Sequence, residues 1–141
     1  MDYVSYRSLK LLPLLTVFPL FFGGCNNDIY SQFCTPEKVE ITCLKLESLE
    51  DEVSQIMRLH FGKIAQSENC VFTLQGMRHH VDACQNPVAN SVGSDFDGYV
   101  KLQIFHNGTC YYRIQTDYKG REWQSYMEEI SEQLKKDLAI N

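Results

Sequence analysis

The sequence is poor in basic residues and has few long apolar runs. Its 141 residues carry 13 lysines and arginines against 18 aspartates and glutamates, for a net charge of −5. A nucleic-acid surface needs clustered lysine and arginine to neutralise phosphates, and the sequence has no such cluster. We therefore expect no nucleic acid partner. The chain also lacks an internal repeat and a low-complexity linker, which indicates one domain with one core.

Motifs of common enzymes are missing as well. The sequence has no Gly-x-Ser-x-Gly elbow, no His-Glu-x-x-His pair and no glycine-rich phosphate loop. His79 and His80 are adjacent on a predicted helix, where their side chains would lie about 100° apart and could not easily hold one ion. His80 and Cys84 would share a helix face, but a cysteine in an oxidising compartment usually forms a disulfide. We predict no enzyme, no metal site and no cofactor.

One apolar run lies near the N-terminus and predicts a secretory signal peptide. Arg7 and Lys10 precede the run Leu11–Phe22, which ends at Gly23-Gly24-Cys25. This order of charged, apolar and small residues is typical of secretory signals. The run is shorter than the roughly 20 apolar residues that span a bilayer. We predict cleavage after Cys25 and a secreted, extracellular protein.

The mature chain would be residues 26–141, a single cysteine-rich domain without a transmembrane segment. Loss of residues 1–25 removes two basic residues and one acidic residue, so the net charge of −5 would become −6. Cleavage after Gly24 would instead retain Cys25 and leave six cysteines rather than five. Gly-Gly-Cys also resembles the end of a bacterial lipoprotein signal, in which Cys25 would be acylated, although Phe22 is a poor fit there.

Apolar periodicity predicts two packed N-terminal helices after a loose arm at residues 26–33. The first would run from about Pro36 to His60, because Thr35 and Pro36 suit a helix start and an apolar stripe follows. The second would carry Cys70, Leu74, Met77, Val81 and Cys84 on one face. Gly76 weakens this helix, and residues 71–74 could instead start a strand.

Six cysteines in a short secreted chain predict disulfides that supplement a small core. An antiparallel pair of the two helices would bring Cys43 beside Cys84. We also predict Cys70 with Cys110, which leaves Cys34 for Cys25 if the latter is retained. Fifteen pairings of six cysteines are possible, so sequence alone leaves the connectivity open.

An Asn-Gly pair predicts a β-hairpin between Val100 and Gln115. Asn107 and Gly108 tolerate the positive φ of a type I′ turn, and both flanks are rich in β-branched and aromatic residues. Pairing outward from the turn places Ile104 opposite Tyr111, which leaves both faces of the hairpin partly apolar. The same turn contains a sequon that predicts N-glycosylation at Asn107.

The predicted architecture is therefore α+β: a small disulfide-stabilised domain with two packed N-terminal helices, a β-hairpin and a C-terminal helix. The last helix would run from Arg121 to Ile140, where apolar residues recur from Trp123 to Leu138 with lysines near the end.

We predict a secreted, non-enzymatic binding module for an unknown extracellular protein. Its possible interaction surface comprises Tyr99, Tyr111, Tyr112 and Tyr118, because tyrosine offers a large contact area with a polar tip. One alternative is a small apolar-ligand carrier with a cavity lined by Leu46, Met57, Leu74 and Trp123. Another is a secreted hydrolase that uses His79, His80 or an acidic pair such as Glu128-Glu129.

Overall fold

The computed structural model describes residues 28–65, 69–81 and 96–140. These ranges form a five-stranded mixed sheet and two helices. The strands are β1 (Ile29–Phe33), β2 (Lys45–Glu47), β3 (Phe72–His80), β4 (Gly98–His106) and β5 (Thr109–Tyr118). The helices are α1 (Asp51–Phe61) and α2 (Trp123–Asp137). Neither helix is long and apolar enough to cross a membrane, within the ranges just given.

The sheet has the strand order β1-β5-β4-β3-β2. All neighbouring strands are antiparallel except β2 and β3, which are parallel and are joined through α1. α1 contacts β2 and β3, α2 contacts β4 and β5, and the two helices contact each other. The described residues therefore form a layer of two helices on a layer of sheet.

The core lies between these two layers. Its apolar side chains are Val53, Ile56, Met57 and Phe61 of α1; Phe72, Leu74, Val100, Leu102, Ile104, Tyr112, Ile114 and Tyr118 of the sheet; and Trp123, Met127, Ile130 and Leu134 of α2. Burying one such large apolar side chain stabilises a fold by roughly 1.5–3 kcal/mol. The predicted C-terminal helix and its apolar face are confirmed, with bounds two to three residues inside the predicted ones.

The predicted hairpin turn is also confirmed. Asn107 and Gly108 have φ of 49° and 77°, as a type I′ turn requires. His106 pairs with Thr109, so the loop has two residues.

A β-bulge changes the hairpin beyond the turn. The register shifts after Ile104, so that Ile104 pairs with Tyr112 instead of the predicted Tyr111, and Leu102 pairs with Ile114. One extra residue on β5 turns the following side chains to the opposite face. The bulge thus gathers these apolar side chains on the helix-covered face, and the predicted mixed faces are wrong.

The second predicted N-terminal helix is wrong, because this stretch is β3. Phe72, Leu74 and Gly76 alternate as buried residues, whereas Met77 of the predicted helical stripe is 47% exposed. A Cβ on Gly76 would collide with Met57 Sδ of α1 and lie 2.8 Å from Val53 Cγ1. Gly76 therefore lets α1 lie close against β3, because glycine has no Cβ to collide with it.

The first predicted helix is too long by about four turns. Residues 34–43 are irregular, β2 follows, and α1 begins only at Asp51. Asp51 and Glu52 lie in the first turn, where carboxylates favour the positive helix end. The predicted arm is also wrong, because Ile29–Phe33 is the edge strand β1, paired with β5. The described part of the fold is thus mostly sheet with two helices, which corrects the predicted pair of N-terminal helices.

The predicted disulfide pairs are wrong as well. The bonds are Cys34–Cys110 and Cys43–Cys70, and Cys25 and Cys84 lie outside the described residues. The prediction failed because it assumed a helical hairpin. Cys43 and Cys70 instead precede the parallel strands β2 and β3 at the same end of the sheet, with their Cα atoms 5.9 Å apart.

Candidate functional site

Among the described residues, no helix packs on one face of the sheet, which we call the open face. By strand register it carries Tyr30 and Gln32 of β1; Lys45 and Glu47 of β2; Thr73, Gln75, Met77 and His79 of β3; Tyr99, Lys101, Gln103 and Phe105 of β4; and Arg113, Gln115 and Asp117 of β5. None of these side chains is buried by the described parts of the chain. Most of them are polar, as expected for the solvent side of a largely antiparallel sheet.

One cross-strand row of the open face spans all five strands. In order from β2 to β1 it consists of Glu47, Gln75, Gln103, Arg113 and Gln32. Gln75 Nε2 donates to Glu47 Oε2 at 3.2 Å, and Arg113 Nη2 donates to Gln32 Oε1 at 2.6 Å. These bonds orient the planar groups at both ends of the row, which reduces the rotamer freedom that a partner must freeze.

The carboxylate of this row is partly neutralised. Lys45 Nζ lies 2.9 Å from Glu47 Oε1. Hydrogen bonds from Lys45 and then from Gln75 hold the pKa of Glu47 below its usual range. Lys101 and Arg113 have no ion pair with a carboxylate in the described ranges. The centre of the open face is therefore locally cationic on an acidic protein.

A shallow depression lies beside this row at the β1 edge. Its volume is about 500 Å³, and it is lined by Ile29, Tyr30, Ser31, Gln32, Lys101, Arg113 and Gln115. The Tyr30 side chain is 62% exposed. Lys101 and Arg113 are diagonal neighbours on adjacent antiparallel strands, since Lys101 pairs with Gln115. The depression thus offers an aromatic ring beside two cations and two amides.

A second opening, which we call the edge groove, lies where β2 ends beside β3. It has a volume of about 780 Å³ and is lined by residues 46–50, 75–78, Ser54, Arg58, Lys101 and Gln103. Leu49 is fully exposed. Glu50 Oε2 accepts from Arg78 Nε at 3.0 Å and also lies 3.0 Å from Arg78 Nη2. The guanidinium lies over the Trp123 ring at 4.6 Å, so its position is fixed from two sides.

The four tyrosines predicted as a surface do not lie together. Tyr111, Tyr112 and Tyr118 are 2%, 1% and 2% exposed, and only Tyr99 reaches the open face. Each buried hydroxyl has a hydrogen-bond partner. That of Tyr111, for example, donates to the Val39 carbonyl and accepts from the Val39 N–H.

The exposed tyrosine of the open face is instead Tyr30, which the sequence reasoning missed. Its segment reads Ile29-Tyr30-Ser31-Gln32-Phe33 and belongs to the predicted loose arm at residues 26–33. Apolar residues at both ends with polar ones between them fit a short edge strand, so a signal was present.

The residues of the alternative functions are dispersed. Met57, Leu74 and Trp123 are at most 4% exposed and belong to the packed core. His79 lies on the open face beside Tyr99, whereas His80 Nδ1 lies 3.1 Å from the Tyr118 hydroxyl. In the described ranges no three histidine, cysteine or carboxylate side chains are grouped to hold a metal ion.

Tyr112 joins the sheet to the end of α2. Its hydroxyl donates to Asp137 Oδ2, and Gln133 Nε2 donates to the other carboxylate oxygen at 2.7 Å. Burial, and then the Asp137 hydrogen bond, raise the pKa of Tyr112 well above its ordinary value of 10.0. Burial also raises the pKa of Tyr118.

These raised values predict alkaline destabilisation. A raised pKa in the folded state stabilises the fold below pH 10, and this contribution is lost as the pH rises further. We expect Tyr112→Phe to reduce stability at pH 8 by about 1 kcal/mol through the lost hydrogen bond. Above pH 10, the free energy of unfolding of Tyr112→Phe should fall less steeply with pH than that of the wild type. The two slopes should differ by about 1.4 kcal/mol per pH unit. Urea unfolding from pH 8 to 11 measures both effects, and equal slopes in wild type, Tyr112→Phe and Tyr118→Phe would contradict this expectation.

Comparison of the chain with protein-family models, curated proteins and solved structures gave no match. The functional conclusion therefore rests on the geometry.

Proposed function

We propose that this chain is a secreted, non-enzymatic binding module whose open face contacts an extracellular protein. The observation that carries the proposal is a five-stranded face that no helix of the described ranges covers. It has oriented amides, two cations without an ion pair in those ranges, and exposed Tyr30 and Met77. Tyrosine, methionine and arginine are enriched in protein interfaces, and tyrosine and arginine are frequent among the few residues that carry most of the binding free energy.

The size of the open face supports a protein partner. Five strands at about 4.8 Å spacing give a width of roughly 24 Å, and strands of this length extend about 17–30 Å. The resulting area of several hundred Å² approaches the roughly 800 Å² that each partner buries in a standard interface. A flat surface of this extent suits another protein better than a small ligand, which favours a concave site.

The disulfides and the predicted signal peptide support the proposed compartment. Two disulfides clamp a small sheet, as is common in extracellular domains. Asn107 lies exposed at the hairpin tip, and we propose that it carries an N-linked glycan. A glycan there would extend from the end of β4 and β5, which leaves the broad side of the sheet free.

Substitutions on the open face test the proposal. The protein is expressed in a secretory host and screened for binding against a panel of extracellular domains. For a partner found in this way, Tyr30→Ala and Arg113→Ala should each raise Kd at least about tenfold, as hot-spot truncations do. The matched control is Leu59→Ala on α1, which is also exposed and should change Kd by less than about twofold. Loss of binding in the control with retention in both open-face variants would exclude the open face as the interface.

A further inference from the structure

The edge of β3 is only partly paired. β2 pairs with residues 73–75 of this nine-residue strand, and no other strand of the described ranges pairs with residues 76–80 on that side. The Arg78 N–H points outward, because it donates to Glu50 Oε1 at 3.2 Å. Backbone groups alternate in direction along a strand, so those of Gly76 and His80 point outward as well, although the parallel pair Glu47–Gln75 already uses the Gly76 N–H. The edge therefore presents backbone donors and acceptors at the spacing of a strand.

Glu50 occupies the position that an added strand would use. One carboxylate oxygen accepts the Arg78 N–H, as the carbonyl oxygen of a neighbouring strand would. The other oxygen holds the Arg78 guanidinium, which lies over Trp123 on the helix side of the sheet. Unpaired edges attract other strands, and proteins commonly shield them with charged side chains. Here one carboxylate satisfies one N–H, and the remaining length of the edge has no such shield in the described ranges.

Apolar side chains lie beside this polar edge. Leu49 is fully exposed where β2 leads into α1, and Met77 is 47% exposed on the open face. Both line the edge groove. An extended peptide matches this arrangement, because its backbone pairs with the edge while alternate side chains point to opposite sides. A small apolar molecule would leave the outward backbone groups without partners.

We propose that the edge groove binds an extended peptide segment, which adds to the sheet beside residues 76–80 of β3. The peptide displaces Glu50 from the Arg78 N–H and places apolar side chains against Leu49 and Met77. This site goes beyond the proposed function, since its defining contact is backbone pairing with the edge of β3, although Met77 of the open face also lines it.

A designed peptide tests the proposal on the full chain. The probe is acetyl-Lys-Thr-Val-Thr-Val-Thr-Lys-amide, and its control is the same peptide methylated at its five central backbone nitrogens, which cannot pair as a strand. In an NMR titration, the first peptide should shift the amide signals of Arg78 and His80 and slow their hydrogen exchange. The methylated peptide should leave both unchanged.

Variants separate backbone pairing from apolar contact. Glu50→Ala should lower the Kd of the probe about fivefold to tenfold, because no carboxylate competes for the Arg78 N–H. Leu49→Lys should raise Kd about fivefold, whereas Leu59→Lys, which alters an exposed leucine outside the groove, should leave it unchanged. Tyr30→Ala should also leave it unchanged, so failure of the open face and failure of the groove remain distinguishable.

Three outcomes would overturn the proposal. In the first, the two peptides produce the same shifts. In the second, the shifts cluster at β1. In the third, neither the wild type nor Glu50→Ala responds at about 5 mM peptide, which means that any binding is too weak to be a useful contact.

Discussion

Replacing Cys34 and Cys110 together with serine is expected to lower the free energy of unfolding by about 4.5 kcal/mol. The two cysteines are separated by 76 residues, so the bond restricts a large loop of the unfolded chain. The same change at Cys43 and Cys70, separated by 27 residues, should cost about 3.5 kcal/mol on the same entropic basis. Urea unfolding of the two double variants measures both losses.

The structure predicts different local consequences for the two bonds. Cys34 follows β1 directly, and its N–H donates to the Tyr111 carbonyl at 2.9 Å. Among the described strands β1 pairs only with β5, so loss of the Cys34–Cys110 bond leaves this edge strand free to fray. Hydrogen exchange of residues 29–33 should therefore accelerate in that variant and remain near wild-type rates in the Cys43–Cys70 variant. Equal acceleration in both would show that neither bond holds β1 in particular.

The sequence predicted the elements whose signals are local. Asn107-Gly108 defines a two-residue turn because both residues tolerate positive φ, and the structure has that turn. Trp123, Met127, Ile130 and Leu134 repeat at helical spacing over several turns, and all four are buried on α2. Each of these signals is complete within one short segment, so no distant contact was needed to interpret it.

Periodicity failed where a segment fits two patterns. Cys70, Leu74 and Met77 recur at helical steps, yet Phe72, Leu74 and Gly76 alternate at the strand period. The neighbouring strands β2 and β4 decide between the two, and such tertiary contacts override weak local preference. The disulfide prediction then failed with the helix on which it depended.

The candidate site was harder to predict than the fold. The open face depends on the register of five strands, and the bulge beside Ile104 reverses the faces expected from simple pairing. The sequence predicts Tyr111 and Tyr112 in an interaction surface, whereas both side chains lie in the core. Tyr30 joins Arg113 only because β1 pairs with β5, a contact that links distant parts of the chain.

Gly76→Val is expected to destabilise the fold by about 3 kcal/mol, at the upper end of the cost of overpacked cores. Valine suits strands, so the loss would come from contact with α1 and not from strand propensity. The matched control is Gln75→Val, the adjacent residue on the exposed face of the same strand, which should change stability by less than about 0.5 kcal/mol. Equal losses in the two variants would remove the steric explanation.

A double-mutant cycle identifies the side chain that Gly76 accommodates. A Cβ at this position would collide with Met57 Sδ, the end of a flexible side chain on α1. Gly76→Ala and Met57→Ala should therefore combine to a loss at least about 1 kcal/mol smaller than the sum of the two single losses. Strict additivity in urea unfolding would mean that the strain arises elsewhere, with Val53 as the next contact at 2.8 Å.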